Sequence, residues 1–237
     1  MTTLLNTLLS LLYPRRCPVC DGPVKPWNAL ICRECEPALS YIRPPRCMKC
    51  GKHIGDDGKE YCVDCTSHAH FYESGRALFA YPDVSASIAR FKYHGRREYA
   101  VFYAAYMVKV LGNFIRACGA DAFVPVPLHK SRKRKRGYNQ AEVLARELSA
   151  LTGIPVCADL IGRVKKTAPM KELSAAQRQN NLKKAFKILR NDVKLKTIII
   201  VDDIYTTGST IDAVSRELKK AGVEKIYFVA LAIGRGI

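Results

Sequence analysis

The chain has 237 residues, enough for one large or two modest domains, and its 48% apolar content supplies a packed core and excludes a purely solvated polar chain. It carries 39 Lys and Arg against 21 Asp and Glu, a net charge of +18, which predicts polyanionic company: nucleic acid, phosphorylated metabolites or an acidic membrane surface. Residues 1–71 hold nine basic and seven acidic side chains, a net of +2, so +16 lies in residues 72–237.

The N-terminal run TLLNTLLSLLY is apolar but only eleven residues long, too short to span a bilayer. It lacks a basic leader and a small-residue cleavage site, so a signal peptide is not expected. A short helix docked on the protein is the preferred reading, with an interfacial anchor as the alternative. The chain is expected to be cytoplasmic, with membrane association through partners or this segment left open.

Eight of ten cysteines form four C-x-x-C pairs: Cys17/Cys20, Cys32/Cys35, Cys47/Cys50 and Cys62/Cys65. The unit C-x2-C-x11-C-x2-C occurs twice, thirty residues apart, preceded by YPRRC and RPPRC. A two-residue gap lets one tight turn aim two thiolates at an ion, and tetrahedral zinc needs two such turns. The repeat predicts a double zinc ribbon holding about two structural Zn2+ ions. Sequential pairing is assumed, crossed pairing between the repeats stays open, and iron–sulfur is a weaker alternative. Gly22, Pro23 and Gly51 are expected to reverse the chain after each first knuckle. His53, His68 and His70 lie in or near the ribbons, but eight thiolates already complete two sites. Cys118 and Cys157 are expected to be packing residues. TSHAHFYES, residues 66–74, reads as the junction between the two halves.

Strand and helix then alternate. RALFAY (76–81) reads as a strand, and residues 87–119 as two helical pieces broken near Gly95. Ala100, Ala104, Met107, Leu111 and Ile115 fall on one face of the second piece. AFVPVP (122–127) is a buried strand. NQAEVLARELSAL opens on a capping box at Asn139 and Glu142, and presents Leu144, Leu148 and Leu151 inward. VCADLIGRV reads as another strand, and SAAQRQNNLKKAF as a helix opening on Ser174 and Gln177. KTIIIV is a strand buried on both faces. STIDAVSRELKKAG is a helix with Ile211, Val214 and Leu218 inward, and KIYFVALAI closes the sheet. The alternation predicts an α/β parallel sheet, with ligands beyond the carboxyl ends of the strands.

Asp202 and Asp203 stand at one such end. The loop after them, Thr206, Thr207, Gly208, Ser209 and Thr210, puts hydroxyls and backbone N–H groups at a helix N-terminus, a phosphate cradle. Two carboxylates just before it suit two vicinal hydroxyls. A phosphate and a cis-diol a few ångströms apart describe a ribose 5-phosphate. A P-loop reading fails because no G-x-x-x-x-G-K-[ST] is present.

IIIVDDIYTTGST resembles the phosphoribosyl-pyrophosphate (PRPP) motif of type I phosphoribosyltransferases. Together with VPVPLHKSRKRKRGYNQAEVLA, KTAPMKELSAAQRQNNLKKAF and the paired ribbons, it is similar to the ComF family, linked to DNA uptake in natural competence. The resemblance covers nearly the whole chain. It implies a double zinc ribbon over residues 1–71 and a phosphoribosyltransferase-like parallel sheet with flanking helices over 72–237. It implies Mg2+ with PRPP, Asp202 and Asp203 on the ribose 2′- and 3′-hydroxyls, and Thr206–Thr210 on the 5′-phosphate. It places the loop Lys130, Arg132, Lys133, Arg134, Lys135 and Arg136 against pyrophosphate, and single-stranded DNA is a second partner for this run. The segment GRVKKTAPMKELS is the expected lid, with Lys165, Lys166 and Arg178. The chain departs from hypoxanthine-type members, whose loop Asp acts as a base, by Thr206, and from the ComF pattern by Met170. No catalytic residue is assigned. Tyr93, Tyr99, Tyr103 and Tyr106 read either as base-stacking platforms or as packing. Three functions compete: a phosphoribosyl transfer enzyme, the leading reading, with nucleobase salvage as its alternative setting; a non-catalytic module that keeps the pocket and handles single-stranded DNA; and a regulator in which PRPP or a nucleotide switches partner binding, with other competence proteins open as partners.

Overall fold

The apolar run Ile198–Val201 lies at the centre of the sheet, with each side chain fully buried. The computed structural model describes residues 14–55, 58–164, 185–190 and 194–234. Four strands form one sheet: β1 (Ser74–Ala80), β2 (Ala122–Pro125), β5 (Thr197–Tyr205) and β6 (Lys225–Ile233), in the order β1-β6-β5-β2. All three pairings are parallel. Such a sheet needs cover on both faces, which explains why β5 and β6 lack polar alternation.

Among the described residues the helices are α1 (Val63–Ser67), α2 (Tyr81–Tyr93), α3 (Tyr99–Ala117), α4 (Lys130–Arg136), α5 (Gln140–Thr152) and α6 (Ser209–Lys220). α2 and α3 are the two pieces expected around Gly95, whose φ of 69° suits glycine. Ala100, Ala104, Met107, Leu111 and Ile115 are buried as their spacing requires. Asn139 caps α5, its side chain accepting from the Ala141 N–H at 3.2 Å. None of the helices among the described residues is long and apolar enough to cross a membrane.

Three expectations are corrected. VCADLIGRV does not join the parallel sheet as a strand. Val156 makes one bridge to Phe123, a turn at 158–160 breaks away, and only β3 (Ile161–Arg163) is extended. β3 pairs antiparallel with β4 (Phe186–Ile188) in a separate two-stranded sheet. The basic run Lys130–Arg136 is the helix α4, not a loop; His129 caps its start and Gly137, at φ 85°, its end. Four basic residues in its last turn oppose the negative end of the helix dipole. Leu151 is 53% exposed, because it lies in the last turn of α5 beyond the edge of the core. The N-terminal apolar run to Tyr13, Lys165, Lys166, Met170, Arg178 and most of the helix expected from Ser174 lie outside the described residues.

The cysteine repeat builds two equivalent knuckles. The Cys17 N–H donates to the Gly22 carbonyl and the Cys47 N–H to Lys52, both at 2.8 Å. The bridges Arg16–Pro23 and Arg46–His53 occupy matching places. The left-handed turn falls on Gly51 at φ 75° and, in the first repeat, on Asp21 at φ 59° rather than Gly22. Arg96 Nε and the Tyr99 hydroxyl, 2.9 and 2.6 Å from Asp21 Oδ1, hold that strained aspartate and keep its carboxyl below the usual range, Arg96 most of all.

Both ribbons are part of the core. Cys17, Val24, Ile31 and Cys32 share an apolar cluster with α2, α3 and α5. Ile42, Cys47, Cys50 and Cys62 share the other with α6. The Ile42 N–H donates to the Leu78 carbonyl at 3.1 Å and the Gly75 N–H to the Lys49 carbonyl at 2.8 Å, tying the second ribbon to β1.

Candidate functional site

β5 runs through Tyr205, pairing with β6 as far as Ile233, so Asp202 and Asp203 sit inside the last turn of pairing and not beyond the strand. Strict alternation breaks at this strand end: Ile204 packs with Ile199 and Val201, and Tyr205 with Ile198 and Ile200, so the two carboxylates lie where the faces change over. Asp203 Oδ2 lies 2.8 Å from Lys92 Nζ of α2. Asp202 stands nearer β3, which carries Arg163. There Arg163 acts on it electrostatically, and the Asp203 N–H donates to its Oδ1 at 2.8 Å. Burial, and then the charge of Asp203, push the Asp202 carboxyl up to about 8, against the pull of that N–H, Lys92 and Arg163. Lys92 and Arg163 join the candidate site through contacts that sequence spacing does not reveal. Both come from elements distant in the chain and become neighbours only through the fold.

After Tyr205 the chain bends through Thr206, Thr207 and Gly208 into α6. Gly208 has φ 82° and is the residue before the helix. A Cβ there would lie 2.7 Å from the Tyr205 hydroxyl and 3.1 Å from His70 Cε1. Packing beneath the loop therefore demands glycine here. Thr206 is exposed, Thr207, Ser209 and Thr210 are half-buried, and Thr207 Oγ1 lies 2.9 Å from Ser209 Oγ. The next carboxylate, Asp212 in the first turn of α6, faces His70 and the Phe71 N–H.

α4 follows β2, beside this strand end. Lys130, Lys133, Arg134 and Lys135 are exposed, whereas Arg132 and Arg136 are half-buried. Arg132 acts on the Arg163 guanidinium, Lys133 pairs with Glu142 at 3.2 Å, and Arg136 bonds Gln140 and covers the Tyr93 ring at 4.9 Å. Tyr93 is 67% exposed, while Tyr99, Tyr103 and Tyr106 are buried packing residues.

The cysteines form two groups, Cys17/Cys20/Cys32/Cys35 and Cys47/Cys50/Cys62/Cys65, with the sulfurs of each within 4.8 Å of one another. Pairing is sequential, not crossed. Tetrahedral zinc bonds of about 2.3 Å put sulfurs roughly 3.8 Å apart, and Cys50 and Cys62 already stand at 3.7 Å. Four thiols this close resist joint ionisation. Burial opposes the Cys17 thiolate, but backbone groups of Cys32, Cys20 and Val19 outweigh it and bring the thiol down to about 7. Burial and the Cys20 and Cys17 sulfurs push Cys35 up to about 12. A dication resolves that conflict, and two four-cysteine zinc sites fit these donors.

Two closed cysteine centres on a parallel sheet, with an acid pair and a hydroxyl loop at one strand end, define a zinc-ribbon protein of phosphoribosyltransferase type. Residues 8–66 match the double zinc ribbon domain and residues 133–236 the phosphoribosyl transferase domain. The chain is 31% identical to Competence protein F of Haemophilus influenzae, covering 92% of this chain and 96% of that protein. It is 30% identical to DNA utilization protein YhgH of Salmonella typhi, over 91% and 96%, and 26% identical to Competence protein ComFC of Bacillus subtilis, over 87% and 89%. The chain belongs to the competence protein F (ComF) family. A purine phosphoribosyltransferase from Pyrococcus horikoshii overlaps 56% of this chain and 73% of its own at 20% identity and a TM-score of 0.34, which adds nothing to the domain match.

Proposed function

We propose that residues 72–237 bind PRPP or a related ribose 5-phosphate, and that the protein handles incoming single-stranded DNA in natural competence. The observation that carries the first part is the run of β5 into α6, in which an acid pair on a buried strand passes within three residues into a hydroxyl loop at a helix start. Thr206–Thr210 would hold the 5′-phosphate with N–H and O–H donors. Asp202 and Asp203 would accept from the 2′- and 3′-hydroxyls. With Lys92 balancing Asp203 and Asp202 inclined to keep its proton, the pair is close to neutral without a metal. The demand for Mg2+ then comes from the pyrophosphate of PRPP, whose charge the ion neutralises when bound.

The DNA part rests on a different observation. α4 presents four exposed cations beside the exposed Tyr93, more charge than one pyrophosphate uses, and stacking on an aromatic needs no base identity. The names of the relatives, competence and DNA utilization proteins, support it. Binding without chemistry is favoured over transfer. The loop has Thr206 where a purine-specific base would stand, and Asp212 is taken up by His70 and Phe71.

Calorimetry with PRPP and Mg2+ tests the pocket. The variant Asp202→Asn/Asp203→Asn is expected to lose roughly 2–5 kcal/mol of binding, since a hydrogen bond to the charged Asp203 contributes about 1.5–3 and one to the protonated Asp202 about 0.5–1.5. Unchanged affinity would make the acid pair structural. Pyrophosphate release over a panel of base acceptors then separates a binder from an enzyme.

A further inference from the structure

His70 is set apart from the metal sites, since four thiolates complete each centre, yet its side chain is only 2% exposed. Its Nε2 lies 3.6 Å from Sγ of Cys65, a member of the second cysteine group. Its Nδ1 lies 2.7 Å from Oδ2 of Asp212, in the first turn of α6. The other oxygen of Asp212 accepts from the Phe71 N–H at 2.9 Å. The Asp212 N–H donates to the Gly208 carbonyl at 2.8 Å, and Gly208 is so close to the imidazole that a Cβ would come within 3.1 Å of Cε1. Behind it the ring stacks on Tyr72 at 4.8 Å, and the Tyr72 hydroxyl meets that of Tyr205 at 2.7 Å. A carboxylate in the first turn of a helix is favourable without help. That general effect does not explain why the carboxylate faces inward onto a ring whose other nitrogen faces a cysteine of the metal centre.

We infer that His70 is a positioning residue that couples the second four-cysteine centre to the phosphate loop. A filled centre fixes Cys65. Cys65 and Asp212 fix the imidazole between them, and the imidazole sets the place of Gly208 and the backbone N–H groups beside it. Groups that hold a metal ligand in orientation act on both metal affinity and the site they support. The inference rests on the reading of Thr206–Thr210 as the 5′-phosphate loop. Coupling of binding free energies is reciprocal, so a ligand that orders the loop also tightens the grip on the second zinc, and the first zinc serves as an internal control.

The test is zinc release from the full-length zinc-loaded protein to a chromogenic chelator, with and without saturating ribose 5-phosphate, beside calorimetry of ribose 5-phosphate itself. In the wild type, ribose 5-phosphate is expected to weaken loss of one of the two zinc ions about fivefold or more and leave the other unchanged. In His70→Ala the same single zinc is expected to be held about tenfold more weakly, ribose 5-phosphate to bind about tenfold more weakly, and the mutual effect to vanish. His70→Gln, which keeps one hydrogen bond, is expected to fall between. Wild-type protein that binds ribose 5-phosphate but holds both zinc ions against the chelator with unchanged affinity would overturn the coupling alone, as would His70→Ala with the mutual effect intact. Wild-type protein that does not bind ribose 5-phosphate would overturn the phosphate-loop reading and the coupling with it. If His70→Ala fails to fold, the wild-type linkage decides by itself.

Discussion

Asp202 and Asp203 are neighbours in the chain but have different partners, Arg163 acting on one and Lys92 pairing with the other. A carboxyl raised to about 8 by burial and the adjacent charge favours the protonated folded chain. The unfolded chain gives up this proton from about pH 4 while the folded chain keeps it to about pH 8, so stability falls as pH rises across that window. A ligand that needs the carboxylate runs the other way. If Asp202 accepts from a ribose hydroxyl, ribose 5-phosphate affinity is expected to rise roughly fivefold between pH 7 and 8, where the phosphate is already mostly ionised. Calorimetry across that range checks it, and Asp202→Asn is expected to abolish the step. Lys92 is testable without ligand. Lys92→Met leaves Asp203 without its cation, and the pair keeps 15% and 16% exposure. The expected loss is about 1–3 kcal/mol in urea unfolding, less than for a sealed pair, and most of it should return in Lys92→Met/Asp203→Asn. A loss that persists in the double variant would show that Lys92 acts by packing.

Among elements, α4 gives the sharpest contrast between its two readings. A pyrophosphate contact uses the inward Arg132, whereas a DNA face uses the outward Lys130, Arg134 and Lys135. Each phosphate neutralised on a single strand contributes about −0.7 to the log–log salt slope. Lys130→Ala/Arg134→Ala/Lys135→Ala is expected to flatten the slope of single-stranded DNA binding by about 2, while Asp202→Asn leaves it unchanged. Identical slopes in wild type and triple variant would retire the DNA face. The same element marks the limit of sequence reasoning. Periodicity finds helices through an apolar stripe, and α4 has none, so a run of six cations in seven reads as a loop. β5, α6 and the cysteine units were legible because hydrophobic run, hydroxyl loop and ligand spacing are all local signals. β3 was misread because only pairing geometry separates a short strand at a sheet's edge from one that turns away. No local signal ties Lys92 and His70 to the candidate site, because their partners lie 111 and 142 positions away.

At the scale of the whole molecule, the ribbons close the core. The first shares one apolar cluster with α2, α3 and α5 and the second shares the other with α6, so both faces of the sheet lean on a cysteine centre. The expectation is about two zinc ions per chain and a single unfolding transition that moves down as a whole on chelation. Metal analysis giving no zinc would contradict the ribbon assignment, and two separate melting steps would contradict the shared core. A crystal structure with PRPP and Mg2+ tests most directly whether the strand end of β5 is a ribose 5-phosphate site. The 5′-phosphate is expected on the N–H and hydroxyl groups of Thr206–Thr210, the ribose hydroxyls on Asp202 and Asp203, and Lys92 drawn away from Asp203. Density for the ligand only along α4, with the Lys92–Asp203 pair intact and the loop empty, would contradict it.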